Sequence, residues 1–585
     1  MIRKFATIAL SSIFTAANLS AEVVDVYLLG GQSNMQGIGK LSEIKGKEFP
    51  KVNAHILFKG QFEPLIIGKT QTSNRAGELG PEIGFAMEMT NDKPIYLIKY
   101  AASGMPLDSG WNGNKWVGGK VVDKKQKRTN FYPGENAQDI NQGRLYQAML
   151  QRYRKGIEEL KQQGHEPRIK GFLWMQGEQD SKNAVSARNY AVNLKLLRSR
   201  LAIDLGIKQA SDLAFVYGQV LPYPKPMARF SHRDEVRQNM ADADMGSGKT
   251  AAIARARMIS TDNFPLLKDT VHYNANGQLM LGNAMAKAMK ELANTGETQL
   301  LWKGTPLGFP TDYPHNEKVL DPEHITEVSQ PRIRIFPAMG KPTGQAIVIF
   351  SGGGYRQLAV KKEADRVAAY YATRGITCFN VVYRVTRGNH PAFRYPGPLL
   401  DARKGIRLAK SMAKKYQFSA DQVGVMGFSA GGHLAAMTAT QFDDTFELEK
   451  SSSDSLIDIS PRPAFAALIY PVASMAAPTA HGGSRAALFG KNPDRKALEN
   501  ASPELRVKTG YPEIFIAHNQ FDPVDAQLSI NLAKAYSKAK VPCTLHLFSG
   551  RDHGFGMGRA GQTEKQNPAI AWPKLLHQYL INRQK

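Results

Sequence analysis

Two α/β layered units in succession are the architecture that this 585-residue sequence predicts. Three observations lead there. The length exceeds what one hydrophobic core ordinarily serves. Short apolar runs alternate with amphipathic stretches, the rhythm of strands and covering helices, and that rhythm runs twice. Between the two runs lies a proline-rich, weakly periodic stretch from Thr305 to Pro331. With 42% hydrophobic and 22% charged residues, the chain has enough apolar side chains to bury and is not of a disordered class.

In chain order, residues 1–21 read as an export signal. Arg3 and Lys4 give the positive start, Phe5 to Ala17 the apolar centre, and Leu19-Ser20-Ala21 a small-residue cleavage site. This predicts a periplasmic or extracellular protein, with an ordinary buried helix as the alternative. No later stretch holds about 18 uninterrupted apolar residues, so no membrane span is expected. In residues 22–296, Val23 to Leu29, Ile95 to Tyr100, Ile169 to Met175 and Leu213 to Val220 read as parallel strands. Helical patterning at Ala284 to Leu292 stops at Asn294-Thr295-Gly296, a natural boundary. Residues 297–332 read as a linker or a lead-in that wraps the next unit. In residues 333–585 the strands are Ala346 to Phe350, Ile376 to Tyr383, Val423 to Met426, Phe465 to Tyr470, Ile514 to His518 and Thr544 to Phe548.

The net charge is +25, from 76 Lys and Arg against 51 Asp and Glu. The excess is spread over both halves, unlike the stripes and tails of many nucleic-acid binders, so no nucleic-acid partner is expected. A diffuse positive field favours acidic partners such as uronate-bearing or sulfated polysaccharides; a generally solubilising surface accounts for it equally well. Export permits disulfides, yet Cys378 and Cys543 both sit in strand-like runs and read as small packed hydrophobes. No spacing suits a zinc site. Gly246-Ser247-Gly248-Lys249-Thr250 looks like a phosphate loop but has Ala243 where a glycine is needed and Asp242 and Asp244 beside it, and it is rejected.

Each unit carries an ordered set of residues for acyl transfer. In the first, Gly31-Gln32-Ser33-Asn34-Met35 follows a strand, and Asp269-Thr270-Val271-His272 comes near the end. A serine hydroxyl needs a base to attack an ester, and the base needs an orienting carboxylate. Trp174-Met175-Gln176-Gly177-Glu178 lies between them. These blocks resemble the SGNH-hydrolase superfamily, in its sialate O-acetylesterase and plant-type acetylxylan-esterase branch. The resemblance implies a flavodoxin-like three-layer fold, nucleophile Ser33, base His272, acid Asp269, and oxyanion donors Gly104 and Gln176. Glu178 reads as structural, with substrate contact as the alternative. Trp111 and Trp116, on a glycine-rich insertion, are candidates for stacking on sugar; simple loop packing is the equal alternative.

In the second unit, Gly427-Phe428-Ser429-Ala430-Gly431 follows a strand and precedes an alanine-rich helix, the context of a nucleophile elbow. Asp522 and His553 follow later strands, in the order serine, acid, base. Asp525 and Asp552 are rival acids, and His433 and His481 read as packing or hydrogen-bonding residues. Upstream, the amides of Ser351-Gly352-Gly353-Gly354, with that of Ala430, supply an oxyanion hole, Gly353 and Gly354 being the chosen donors. Together these resemble the α/β-hydrolase fold, in the branch of small bacterial acetylxylan and feruloyl esterases. Ser351 departs from the histidine or proline that relatives often place there.

The two resemblances imply a secreted, two-site serine esterase acting on acetylated polysaccharide or oligosaccharide, acetylxylan foremost, with no cofactor and no metal. The alternatives are sialate or other sugar deacetylation by the first half with a feruloyl or general esterase behind it, and a catalytically silent sugar-binding half. The last is disfavoured because neither triad lacks a member.

Overall fold

A computed structural model of the protein describes residues 21–118, 128–225, 227–293, 295–559 and 562–584. Apart from Ala21, the segment read as an export signal lies outside the described residues.

The first unit is a seven-stranded sheet. Its order across the sheet is Gln61–Pro64, Ala54–Phe58, Ile95–Ala101, Glu22–Gly31, His165–Met175, Ala214–Gly218 and Ala256–Ile259. All neighbours pair in parallel except the edge hairpin of Ala54–Phe58 with Gln61–Pro64. The central strands are apolar on both faces because helices cover both. Leu28, Leu29, Leu97, Ile98, Phe172 and Leu173 are fully buried. Register decides where the site forms. Gly31 lies level with both Ala101 and Met175, so three parallel strands end together and their following loops share one edge of the sheet.

The helix Ala275–Ala293 begins nine residues earlier than its periodicity suggests. It packs on the helix Pro81–Met89 at a distance that only glycine allows. A methyl group on Gly282 would stand 1.9 Å from the Pro81 carbonyl oxygen, and one on Gly84 2.1 Å from that of Leu279. This packing fixes the start of the helix, and with it the loop that carries Asp269 and His272.

The second unit is an eight-stranded sheet in the order Glu297–Leu300, Arg332–Phe336, Thr377–Val382, Ala346–Phe350, Val423–Phe428, Phe465–Ile469, Glu513–Asn519 and Cys543–Phe548. The first two pairings, of Arg332–Phe336 with Glu297–Leu300 and with Thr377–Val382, are antiparallel and the remaining five are parallel. Apolar clusters fill both sides of it. Residues 297–332 are not a free tether: Glu297–Leu300 forms the sheet's edge strand, and Lys318–Val319 pairs with Ile325–Thr326 as a small ribbon. The rejected phosphate-loop sequence has a structural use. Gly246 sits against Thr373, and Arg374 donates to the Gly246 carbonyl at 3.2 Å, so this turn meets the second unit.

Both cysteines are unpaired, and burial raises both thiols, that of Cys543 to about 11. Among the described residues no helix is long and apolar enough to cross a membrane, and no group of three or more potential metal ligands gathers.

Candidate active sites

Ser33 opens a single helical turn directly after the strand Glu22–Gly31. The bend is tight: Gly31 has φ +146, and a methyl group there would meet the Met175 carbonyl oxygen at 2.1 Å. Ser33 Oγ lies 3.0 Å from His272 Nε2, and His272 Nδ1 lies 2.5 Å from Asp269 Oδ2. In this row the imidazole accepts from the serine and donates to the carboxylate. The other Asp269 oxygen accepts from the amides of Val271 and His272, which folds the acid and base into one loop. Burial pushes the Asp269 carboxyl up, but the His272 ring and these amides outweigh it and hold the group below its ordinary value. The amides of Ser33 and Gly104 have no partner among the described residues, and Gly104 faces open space at φ +72. Both are free to meet an oxyanion.

Gln176 is not, and the expectation for it is corrected. The residue is fully buried, and its amide nitrogen donates to Asp180 at 2.6 Å, with Gln32 and Met105 oxygens also near. A buried carboxylate claims the nearest donor because an unmet one is costly. Asp180 is the residue that sequence reasoning missed. It also accepts from the amides of Leu107 and Asp108, so it braces the loop that presents Gly104. Burial raises its carboxyl to about 6 against the pull of these bonds. Glu178 is buried and accepts from Asn34, which also donates to the Val271 carbonyl and accepts from the Tyr273 amide. Asn34 thus fastens the serine turn to the histidine loop, and the buried Glu178 holds Asn34 in place. Trp111 and Trp116 pack on each other edge to face, centroids 5.2 Å apart, and Trp111 is buried. They make a folded loop rather than an open stacking wall.

Ser429 stands between Val423–Phe428 and the helix Ala430–Thr440 at φ +52 and ψ −117, the strained conformation of a nucleophile elbow. The glycines on either side are obligatory. A methyl group on Gly427 would lie 1.9 Å from the Gly431 carbonyl oxygen, and one on Gly431 2.2 Å from that of Phe350. Ser429 Oγ is 2.8 Å from His553 Nε2, whose Nδ1 is 2.9 and 3.0 Å from the two Asp522 oxygens. Burial pushes the Asp522 carboxyl up, and hydrogen bonds from His553 and the Val524 amide, with His518 close by at 3.6 Å, bring it below its ordinary value. The rival acids have other places: Asp525 caps the helix Ala526–Lys538, and Asp552 is exposed. His433 is a buried structural residue between the Tyr355 hydroxyl and the Ala501 carbonyl, its pKa lowered to about 4 by burial. His481 caps the helix Gly482–Phe489 through the Ser484 amide, and it also lines the site.

The amides of Gly353, Gly354 and Ala430 have no partner among the described residues and are free for an oxyanion. Gly352 is engaged, donating to Glu363 at 2.7 Å. Glu363 also accepts from the Tyr470 hydroxyl at 3.0 Å, and that hydroxyl accepts from the Gly556 amide. One buried carboxylate therefore ties the oxyanion loop to the loop carrying His553, as Asp180 braces Gly104 in the first site. Asp180 lies two residues past the Trp174–Glu178 block and Glu363 nine past the glycine loop, and neither position announces its role. Their spacing from an amide loop is legible only after folding. Glu363→Gln is expected to lower kcat at Ser429 by up to the roughly 10²–10³-fold that one lost oxyanion donor costs, with KM little moved. Steady-state kinetics in a Ser33→Ala background, with melting temperature followed alongside, checks this; a merely structural role would lower stability and leave kcat unchanged.

Comparison with known proteins gives two family matches in succession along the chain. Residues 23–291 match the SASA family, described as carbohydrate esterase, sialic acid-specific acetylesterase, and residues 335–536 match the BD-FAE family. An acetylxylan esterase of Xylanibacter ruminicola is 31% identical over 222 residues, which is 37% of this chain and 42% of that protein. An endo-1,4-beta-xylanase B of Butyrivibrio fibrisolvens is 31% identical over 209 residues, 36% of this chain and 32% of that protein. The chain thus spans less than half the length of either relative. Among solved structures, an acetyl ester-xyloside bifunctional hydrolase from Caldicellulosiruptor lactoaceticus aligns with TM-score 0.42 and 30% identity, covering 50% of this chain and 97% of that one. The chain joins a SASA carbohydrate-esterase domain to a BD-FAE α/β-hydrolase domain, both of them carboxylic ester hydrolase folds.

Proposed function

We propose that this protein is a secreted carbohydrate esterase that removes O-acetyl groups from polysaccharide, acetylxylan foremost, at two independent Ser-His-Asp sites. The observation that carries the reading is the pair of unbroken serine–histidine–aspartate rows, one at the edge of each sheet. The export pattern of residues 1–21 supports secretion. The acetylxylan esterase and xylanase relatives support xylan as the polymer.

At each site the imidazole takes the serine proton as Oγ bonds to the acetyl carbonyl carbon. The carbonyl oxygen becomes an oxyanion between free amides: Ser33 and Gly104 in one site, Gly353, Gly354 and Ala430 in the other. The imidazolium returns the proton to the departing sugar oxygen, leaving an acetyl-serine. A water, deprotonated by the same histidine, attacks that ester; acetate leaves and the serine regains its proton. Cysteine and cofactor have no part in this scheme.

The description of the first family favours a second reading for Ser33, deacetylation of sialate. Acetate release from acetylated xylan, from O-acetyl sialic acid and from methyl-ferulate-matched acetyl controls, followed by NMR with and without EDTA, tests both. Release from xylan that survives chelation is expected. Release from sialate alone would replace xylan as the substrate, and loss on chelation would overturn the metal-free scheme.

A further inference from the structure

The cleft in front of Ser429 has a volume of about 590 Å³, and its walls are positively charged. Arg356 follows the oxyanion loop, Arg387 follows the strand Thr377–Val382, and Lys362 lies beside the His553 loop; His481 and His324, the latter paired with Asp321 at 2.9 Å, complete the rim. Lys362 Nζ would lie 3.7 Å from a methyl group placed on Gly554. Over the whole chain cations outnumber acids about three to two, 76 against 51. Among the lining residues three Lys and Arg face one acid, Glu363, which is buried and already accepts from Gly352 and Tyr470.

Nearby ion pairs engage other cations. Lys361 meets Asp365 and Arg366 meets Glu323. That leaves Arg356, Lys362 and Arg387 without a carboxylate partner among the described residues. The Arg387 guanidinium donates to the Gln357 amide oxygen, a neutral group that orients it and leaves its charge uncompensated. Glu327 is close to this segment, but it accepts from the Arg387 backbone amide and the Thr386 hydroxyl. Arg356 and Arg387 are exposed and Lys362 half-buried, so each can reach a ligand.

Unpaired cations in a concave site concentrate the field there, and a planar guanidinium matches a carboxylate in two parallel hydrogen bonds. Salt screens exposed charges over about 8–10 Å, so those lining the cleft act on a ligand held within it. A neutral acetylated sugar gives these groups nothing to bind that water does not.

We propose that the Ser429 site selects sugar esters bearing a carboxylate next to the esterified residue, a uronate-substituted oligosaccharide, with Arg356 and Arg387 gripping the carboxylate and Lys362 adding the third charge. This rests on the carbohydrate-esterase reading of the chain. The shared chemistry is a carboxylate beside the ester, and an acid-bearing acyl group is its other source.

The test uses the full chain with Ser33→Ala, so that only Ser429 turns over. An acetylated xylo-oligosaccharide carrying a glucuronate branch is compared with the same compound after reduction of its carboxyl to the alcohol. A kcat/KM about tenfold higher for the acid is expected, mostly through KM and shrinking as salt is raised. Adding Arg356→Gln and Arg387→Gln together brings the ratio of the two values towards one. Equal kcat/KM before those substitutions, or a ratio that survives them, overturns the proposal. A preference for 4-nitrophenyl hemisuccinate over the butyrate, with the two sugars equal, moves the carboxylate to the acyl side and overturns the uronate assignment. Turnover of 4-nitrophenyl acetate with neither sugar cleaved sinks the carbohydrate reading itself.

Discussion

Ser33→Ala is expected to remove one part of the esterase activity, Ser429→Ala the other, and the double variant almost all of it. Each serine is the only atom in its row that bonds to the acyl carbon, and no neighbour can replace it. Removing a triad serine costs kcat on the order of 10⁶-fold where it has been separated from other effects. The residual rate comes from the oxyanion amides and substrate binding, which these substitutions leave in place. The loss therefore reads as kcat with KM nearly constant, on the ester that each site prefers. Rates for the four chains on acetylated xylo-oligosaccharide, O-acetyl sialic acid and methyl ferulate decide it. A single variant with wild-type rates on all three would mark its site as idle.

The two acids are expected to differ. Asp522→Asn cuts kcat at Ser429 by on the order of 10⁴-fold, because an amide facing Nδ1 stabilises the wrong tautomer and leaves Nε2 protonated, unable to accept from the serine. Asp269→Asn does the same at Ser33 but with a loss about tenfold smaller, since solvent screens an exposed carboxylate and can take over part of its work. The Asp522 side chain is 0% exposed and that of Asp269 42%. Single-site rates measured over pH separate the two. Equal losses would mean that burial of the acid has no bearing on the rate. Both carboxyls lie below their ordinary values, so both stay charged at neutral pH.

The triads were legible in the sequence because motif and chain order restrict where a nucleophile, acid and base can fall. Strands buried on both faces were legible as continuous apolar runs, Ala346–Phe350 to the residue. What escaped has a physical cause in each case. Gly277 and Gly282 weaken the helical pattern at the start of Ala275–Ala293, where close packing on Pro81–Met89 overrides propensity. The strand Glu297–Leu300 is exposed along its length, so no burial pattern marks it, and pairing with Arg332–Phe336 alone defines it. Gln176 lies in the right block, but its amide is taken by Asp180, a partner visible only once four residues of chain have folded back. Asp180 and Glu363 act on backbone amides, which leave no trace in side-chain identity.

The Ser429 elbow has one more implication. Its amide donates to the Ile469 carbonyl, and its own carbonyl accepts from the amides of Val472 and His433, so a left-handed residue is held from three sides. A conformation of this kind costs about 1–3 kcal/mol and lasts only while its surroundings insist on it. The serine therefore enters every cycle already cocked, with no backbone movement to make or undo when the acyl group arrives or leaves. The same restraint makes the rate a finer gauge of packing than the melting point. A slight loosening around Ile469 or Val472 would let the elbow relax towards ordinary geometry and silence the site while the rest of the domain stayed folded.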